Sequence, residues 1–87
     1  MSKIVLKKFS ADWCGPCRMM APLIKSIERQ YDGSLEVLEI DIDKTDEDLS
    51  TIKAIPTLVF LKDGQEVHRT VGSQSEAALK AKINELL

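Results

Sequence analysis

Residues 4–17 read IVLKKFSADWCGPC, and this stretch decides the fold of the 87-residue chain. Residues 4–9 are rich in β-branched and apolar side chains, which predicts a β-strand that runs directly into Cys14 and Cys17. Beyond the cysteines, apolar side chains recur at the spacing of one helical face, at Met20, Leu23, Ile24, Ile27 and Tyr31. The sequence therefore predicts a strand, a loop with two cysteines and an amphipathic helix in succession.

The rest of the sequence predicts three more strands and two more helices. In chain order they are strand 35–42, helix 46–53, strand 57–61, strand 66–71 and helix 75–87. A long helix separates the first two strands, so we expect them to be parallel neighbours in a right-handed crossover. Asp63-Gly64 predicts a tight hairpin between the last two strands, and Ser73 or Ser75 is expected to cap the final helix. The predicted order is β-α-β-α-β-β-α.

Length and composition limit the possible functions. Eighty-seven residues are well below the roughly 150 expected per domain, so one domain is predicted. The net charge of −2 argues against nucleic acid or an anionic membrane as the main partner. No apolar run reaches the roughly 18 residues of a membrane span, and the first residues lack the apolar core of a signal peptide. We therefore expect a cytoplasmic protein with a protein or small-molecule partner.

The spacing of the two cysteines indicates redox chemistry. A disulfide between residues three positions apart closes too small a loop to restrict the unfolded chain much, so it would stabilise little. Cys14 is predicted at a helix N-terminus, where unpaired N–H groups and the helix dipole favour a thiolate. Cys17 lies about one turn further on, within reach of a mixed disulfide at Cys14. Gly15 permits the tight turn, and Pro16 suits the first helical turn.

A zinc site is the alternative to a redox pair. Zinc needs about four ligands, and besides the two cysteines the sequence offers only His68 and scattered carboxylates. His68 alternates with Val67 in a predicted hairpin strand and is expected to face solvent. The sequence therefore predicts no bound metal.

Five short motifs resemble the thioredoxin family. They are Trp13-Cys14-Gly15-Pro16-Cys17, Ala21-Pro22, Ile55-Pro56-Thr57, Lys62-Asp63-Gly64 and Val71-Gly72. The resemblance covers nearly the whole chain and implies a thioredoxin fold with general protein-disulfide reductase activity. It further implies a redox-active disulfide in which Cys14 is the attacking thiolate and Cys17 the resolving thiol.

The resemblance also implies partners and a substrate site. Thioredoxins carry no bound cofactor and are usually reduced by a flavin-containing, NADPH-dependent thioredoxin reductase, so we expect that reductase and disulfide-containing proteins as partners of a monomer. Pro56 is expected to follow a cis peptide bond, which would place the backbone of Ile55 beside the cysteines to pair with an extended substrate. The implied substrate-binding residues are Trp13, Gly15, Pro16, Ile55, Pro56, Val71 and Gly72.

The first departure from the family concerns its leading elements. Typical thioredoxins have a further strand and helix before the strand that leads to the cysteines, and we expect that unit to be missing here. The remainder resembles a minimal core shared with glutaredoxins, an α/β fold with a four-stranded mixed sheet in order 2-1-3-4 and helices on both faces. Residues 35–42 are then expected at a sheet edge, where Glu36, Glu39 and Asp41 discourage pairing with another sheet.

The second departure concerns the charges beneath the cysteines. The family generally has a buried Asp six residues before the first cysteine and a Lys on the neighbouring strand, and here these positions are Lys8 and Glu39. We expect the two to face each other as a buried pair with exchanged signs, and Glu39 to move the proton of the resolving thiol. The alternative is that both are surface charges.

Two other functions stay open from the sequence. A glutathione-coupled, glutaredoxin-like reductase fits the chain length, although Cys-Gly-Pro-Cys with Trp13 argues against it. A thioredoxin-fold binding subunit without redox turnover is the second alternative, and the retention of both cysteines weighs against it.

Overall fold

A four-stranded mixed β-sheet organises residues 3–87, the part of the chain that the computed structural model describes. The elements are β1 (Ile4–Ser10), α1 (Gly15–Gln30), β2 (Leu35–Asp41), β3 (Thr57–Lys62), β4 (Gln65–Val71) and α2 (Glu76–Leu86). The strands lie in the order β2-β1-β3-β4, which confirms the predicted order. β1 is parallel to β2 and antiparallel to β3, and β3 and β4 form the predicted antiparallel hairpin.

The central strand β1 is covered on both faces. Ile4 and Leu6 are fully buried in the core that the helices form, whereas Phe9 lies in a second cluster with Ile40. Side chains alternate between the two faces of a strand, so Lys8 points to the same face as Ile4 and Leu6. This alternation directs a lysine toward the helix that carries the cysteines.

Both helices pack on one face of the sheet. The main core consists of buried side chains from both helices and three strands, namely Ile4, Leu6, Met20, Ile24, Ile27, Leu35, Leu58, Phe60, Leu79 and Ile83. The opposite face is covered by the non-helical segment 42–55, which packs Ile42, Leu49 and Ile52 against the sheet. The prediction of helices on both faces is therefore wrong.

The predicted helix at residues 46–53 is replaced by a series of turns. The hydroxyl of Thr45 accepts the N–H of Glu47 at 3.1 Å, and a carboxylate oxygen of Asp48 accepts the N–H of Ser50 at 2.9 Å. Such bonds compete with helical hydrogen bonds, which explains why Thr, Asp and Ser favour turns over helix interiors. Hydrogen bonds from the backbone and then the side chain of Ser50 also hold the pKa of Asp48 below its usual value.

The hairpin turn and the cap of α2 follow the sequence prediction. Asp63 and Gly64 both have positive φ, 54° and 80°, as a type I′ turn between antiparallel strands requires. Glycine adopts this backbone conformation at little cost because it has no Cβ. The hydroxyl of Ser75 accepts the N–H of Ala78 at 3.1 Å, which confirms Ser75 as the cap.

Arg69 of β4 ties the hairpin to the segment that covers the second face. Its guanidinium donates to both carboxylate oxygens of Glu66, each at 2.8 Å, and to the carbonyl oxygen of Thr51 at 3.1 Å. The hydrogen bonds between the two charged groups lower the pKa of Glu66 and raise that of Arg69. This contact helps to hold the turns of segment 42–55 in place without a helix.

The sequence predicts that His68 faces solvent, but its side chain is only partly exposed. It is half-buried opposite Phe60 in the hairpin register, and the centres of the two rings lie 5.4 Å apart. A register shift between Phe60 and Leu61 interrupts the regular alternation on which the prediction for His68 depended.

Candidate active site

Cys14 and Cys17 lie at the N-terminus of α1, where the sequence predicts them. They are joined by a disulfide, and their Cα atoms lie 5.3 Å apart. Cys14 is the N-cap residue, and its sulfur accepts the N–H of Cys17 at 3.2 Å. Because 5% of Cys14 and 1% of Cys17 are exposed, Cys14 is the more accessible member of the pair.

The loop before the cysteines turns tightly into the helix. The N–H of Cys14 donates to the carbonyl oxygen of Ala11 at 3.1 Å, and the N–H of Arg18 donates to the carbonyl oxygen of Cys14 at 3.1 Å. Gly15 and Pro16 fill the first turn and are exposed. Proline fits there because the first N–H groups of a helix have no helical partner. The two residues between the cysteines are thus available to a substrate.

Residues from the second half of the chain adjoin the cysteines. Ile55 packs against the cluster that contains both cysteines, and the bond between Ile55 and Pro56 is cis, as the resemblance implied. The N–H of Gly72 donates to the carbonyl oxygen of Pro56 at 2.8 Å, which joins the end of β4 to this bond. Trp13 and Val71 are 66% and 58% exposed, high values for large apolar side chains. We call Trp13, Ile55, Pro56, Val71 and Gly72 the apolar rim.

Three residues at the site carry no motif in the sequence. Ala11 is buried with the cysteines, Ile42 packs against the same cluster, and a carboxylate oxygen of Asp43 accepts the indole N–H of Trp13 at 2.8 Å. All three follow the carboxyl ends of β1 and β2. Because parallel strands end at the same edge of a sheet, that position is the signal that could have identified them.

Lys8 and Glu39 lie opposite each other beneath Cys17, as predicted from the exchanged charges at these two positions. The ammonium nitrogen of Lys8 lies 3.6 Å from a carboxylate oxygen of Glu39 and donates to the carbonyl oxygen of Cys17 at 3.1 Å. Lys8 is 2% exposed, whereas the Glu39 side chain is 52% exposed because β2 is an edge strand. The expectation of a buried pair is therefore correct for Lys8 and wrong for Glu39.

An open cleft of about 280 Å³ connects this pair with the resolving cysteine. It is lined by Lys8, Ser10, Ala11, Asp12, Cys17, Arg18, Ala21 and Glu39. The buried ammonium group and Cys17 thus share a space with a carboxylate that reaches solvent.

Neither a membrane-crossing helix nor a metal cluster is found within residues 3–87. In that range, no helix combines the length and the apolar character that crossing a bilayer takes. No group of three or more His, Cys, Asp or Glu side chains there is placed to hold a metal ion.

The fold and the site define a class of protein. A cysteine pair that closes a disulfide at a helix N-terminus, next to a cis-proline on a mixed four-stranded sheet, is suited to exchange its disulfide with that of another molecule. The arrangement is that of a dithiol–disulfide exchange protein.

Comparison with known sequences gives the family. The family model for thioredoxin matches residues 1–85. The thioredoxin of Bacillus subtilis (strain 168) is 37% identical over 86 residues, which cover 97% of this chain and 83% of the relative. The thioredoxin of Synechocystis sp. is 39% identical over 85 residues, which cover 95% of this chain and 79% of the relative. The chain belongs to the thioredoxin family.

Solved structures agree with this assignment. The germline-specific thioredoxin Deadhead of Drosophila melanogaster superposes with a TM-score of 0.88 at 33% identity, covering 98% of this chain and 82% of the other. A mutant thioredoxin from Halobacterium salinarum NRC-1 gives a TM-score of 0.86 at 38% identity, covering 95% and 74%. The protein is a thiol–disulfide oxidoreductase with a redox-active pair at Cys14 and Cys17, and thioredoxins need no bound cofactor.

Proposed function

We propose that Cys14 is the thiolate that attacks substrate disulfides and that Cys17 is the resolving thiol. The observation that carries this assignment is the N-cap position of Cys14, where its sulfur accepts the N–H of Cys17 at 3.2 Å. A helix N-terminus stabilises negative charge and so favours the thiolate of Cys14. Cys17 lies inside the first turn, where it is 1% exposed and close to any mixed disulfide at Cys14.

The reaction consists of two exchanges. First, the Cys14 thiolate attacks one sulfur of the substrate disulfide, the substrate S–S bond breaks, and the other substrate sulfur leaves and takes a proton from water. Second, Cys17 loses its proton and attacks the Cys14 sulfur of the mixed disulfide. The substrate leaves as a dithiol with two electrons gained, and Cys14 and Cys17 become the disulfide.

The apolar rim is the proposed contact surface for the substrate chain. Trp13 and Val71 offer exposed apolar area, and Ile55 contacts the cysteine cluster directly. An extended segment that lies along Ile55 and Pro56 would bring its disulfide to Cys14, with Gly15 and Pro16 leaving room beside the sulfur. We assign Gly72 to the same surface because of its hydrogen bond to Pro56.

Glu39 is the proposed acceptor for the proton that Cys17 loses. It lines the cleft next to Cys17, and its half-exposed carboxylate can pass the proton to solvent. Lys8 holds this carboxylate in place through the ion pair at 3.6 Å. The two residues thus take part in the second exchange and not in the first.

Glu39→Gln is expected to slow the release of the mixed disulfide about tenfold, because an amide cannot accept the proton. The effect is expected to be smaller than the loss of a fully buried base would give, since the cleft is open and solvent water can also accept the proton. Stopped-flow tryptophan fluorescence with a disulfide peptide separates release from formation, whose rate should not change. Glu36→Gln on the same strand is the control, and equal slowing in both variants would refute the assignment.

We further propose that the protein works as a cytoplasmic single-domain monomer and that an NADPH-dependent thioredoxin reductase restores its dithiol. Its proposed substrates are proteins with accessible disulfides. The exposed ring of Trp13 next to the Cys-Gly-Pro-Cys motif supports protein partners over glutathione, because a large exposed apolar ring suits contact with a protein surface.

A coupled assay tests this function. With NADPH, a bacterial thioredoxin reductase and an insulin substrate, the chain is expected to support insulin reduction at least about tenfold faster than with glutathione and glutathione reductase. NADPH absorbance and insulin turbidity measure the two ends of the electron path. Faster reduction with glutathione would favour the glutaredoxin-like alternative.

A further inference from the structure

A buried positive charge lies next to Cys17. Lys8 is 2% exposed, and its ammonium group contacts the carbonyl oxygen of Cys17 at 3.1 Å. Its counterion Glu39 lies 3.6 Å away on the solvent side of the cleft with 52% of its side chain exposed. The backbone of the resolving cysteine therefore contacts a buried positive charge whose negative partner is half-exposed to solvent.

The other groups around Lys8 do not cancel this charge. α1 presents Arg18 to the cleft, the loop after β1 presents Asp12, and both are exposed to water. β3 presents the apolar Leu58 opposite Lys8 in the sheet register. Charges in water are strongly screened, whereas a buried charge acts through a medium of lower effective dielectric constant. Among residues 3–87, Lys8 is thus the one charged residue that is buried, and it lies beneath the cysteine pair.

The two redox states of the pair respond differently to this charge. The disulfide is uncharged, whereas the reduced pair carries a negative charge in its thiolate form. A buried cation lowers the free energy of an anion nearby and leaves a neutral disulfide almost unaffected. The cation therefore stabilises the reduced pair selectively.

We infer that Lys8 is a positioning residue whose buried charge shifts the redox equilibrium of the Cys14–Cys17 pair toward the dithiol, and that Glu39 moderates the shift. The inference rests on the proposed dithiol exchange and adds a determinant of its equilibrium. The equilibrium is that of reduction by glutathione. Two glutathione molecules are oxidised to glutathione disulfide, and their two electrons reduce the S–S bond of the protein. Their two protons go to the cysteine sulfurs or, where a sulfur stays a thiolate, to water.

Equilibration with glutathione buffers tests the inference. Lys8→Met keeps an unbranched side chain of similar length and removes the charge. The equilibrium constant for reduction is expected to fall about tenfold in Lys8→Met and to rise about threefold in Glu39→Gln, because the second change leaves Lys8 less compensated. Lys8→Arg keeps the charge and should stay within about threefold of the wild type.

Lys7→Met is the matched control. Lys7 is the neighbour of Lys8 on β1, points to the opposite face and pairs with Glu47 at 2.7 Å, so the variant loses the same net charge away from the cysteines. Its equilibrium constant should stay within about twofold of the wild type. Acid-quenched alkylation and mass spectrometry give the reduced fraction, and circular dichroism shows whether each variant is folded.

Different results would overturn the role of Lys8 and the proposed disulfide exchange. An unchanged constant in folded Lys8→Met, or a fall in Glu39→Gln, would overturn the role of Lys8 while the exchange itself is still seen. A wild-type disulfide that does not equilibrate with glutathione or any dithiol would instead overturn the proposed exchange. If Lys8→Met does not fold, the direction of the shift in Glu39→Gln decides, since Glu39 is half-exposed.

Discussion

Cys17→Ser is expected to convert the protein into a covalent trap for its substrates. The Cys14 thiolate still attacks a substrate disulfide, but no thiol in the helix can resolve the mixed disulfide, so the complex accumulates and turnover falls to background. Non-reducing gels and intact-mass spectrometry with a disulfide-containing protein measure the trapped complex. We expect about tenfold or more trapped complex relative to Cys14→Ser.

Cys14→Ser is the matched control for this prediction. It removes the accessible sulfur and leaves Cys17, which is 1% exposed and cannot approach a folded substrate. Serine is a favourable N-cap residue, so α1 should keep its start. Equal amounts of trapped complex in the two variants would show that either sulfur attacks, and would contradict the assigned order.

Val71→Asp is expected to raise the KM for protein substrates about 10- to 100-fold with little change in kcat. The carboxylate would lie in the apolar rim, and a substrate that covers it removes part of the water from a charge without a partner, which disfavours binding. A 10- to 100-fold rise in KM corresponds to about 1.4 to 2.8 kcal/mol. The loss of stability should be small because Val71 is 58% exposed. Steady-state insulin reduction at several substrate concentrations measures KM and kcat separately.

Val67→Asp is the control for the rim. Val67 lies on the same strand, is 43% exposed and belongs to no part of the rim, so the variant makes the same chemical change elsewhere on β4. Its KM should equal that of the wild type. A similar rise in KM for both variants would mean that substrates do not bind at the rim.

The parts of the fold with local signals were predictable from the sequence. The strand into Cys14, the helix behind it and the hairpin at Asp63-Gly64 each depend on residues close together in the chain, and all three are present. The strand order was predictable because a helical crossover constrains two strands to be parallel and the resemblance supplies the rest.

The segment 46–53 was not predictable in the same way. Its composition allows a helix, but Thr45 and Asp48 bond to backbone N–H groups two residues further on, and Arg69 holds the segment through Thr51 from another strand. A contact of this kind depends on the assembled sheet. Periodicity in a short segment cannot reveal it.

The placement of Lys8 and Glu39 was predictable from the sequence, but the degree to which each is buried was not. The opposite placement of Lys8 and Glu39 follows from the register of two parallel strands. Their unequal exposure follows from the carbonyl oxygen of Cys17 meeting Lys8 and from the edge position of the strand that carries Glu39. Likewise, the bond from Trp13 to Asp43 depends on two loops that meet at one edge of the sheet.

The double variant Cys14→Ser/Cys17→Ser in the coupled insulin assay shows directly whether this protein acts by exchanging the disulfide of its cysteine pair. The double variant is expected to be folded and its insulin reduction to equal the background without protein, because no thiol is left to exchange. Insulin reduction at the wild-type rate by the double variant would show that the cysteine pair does not carry the activity.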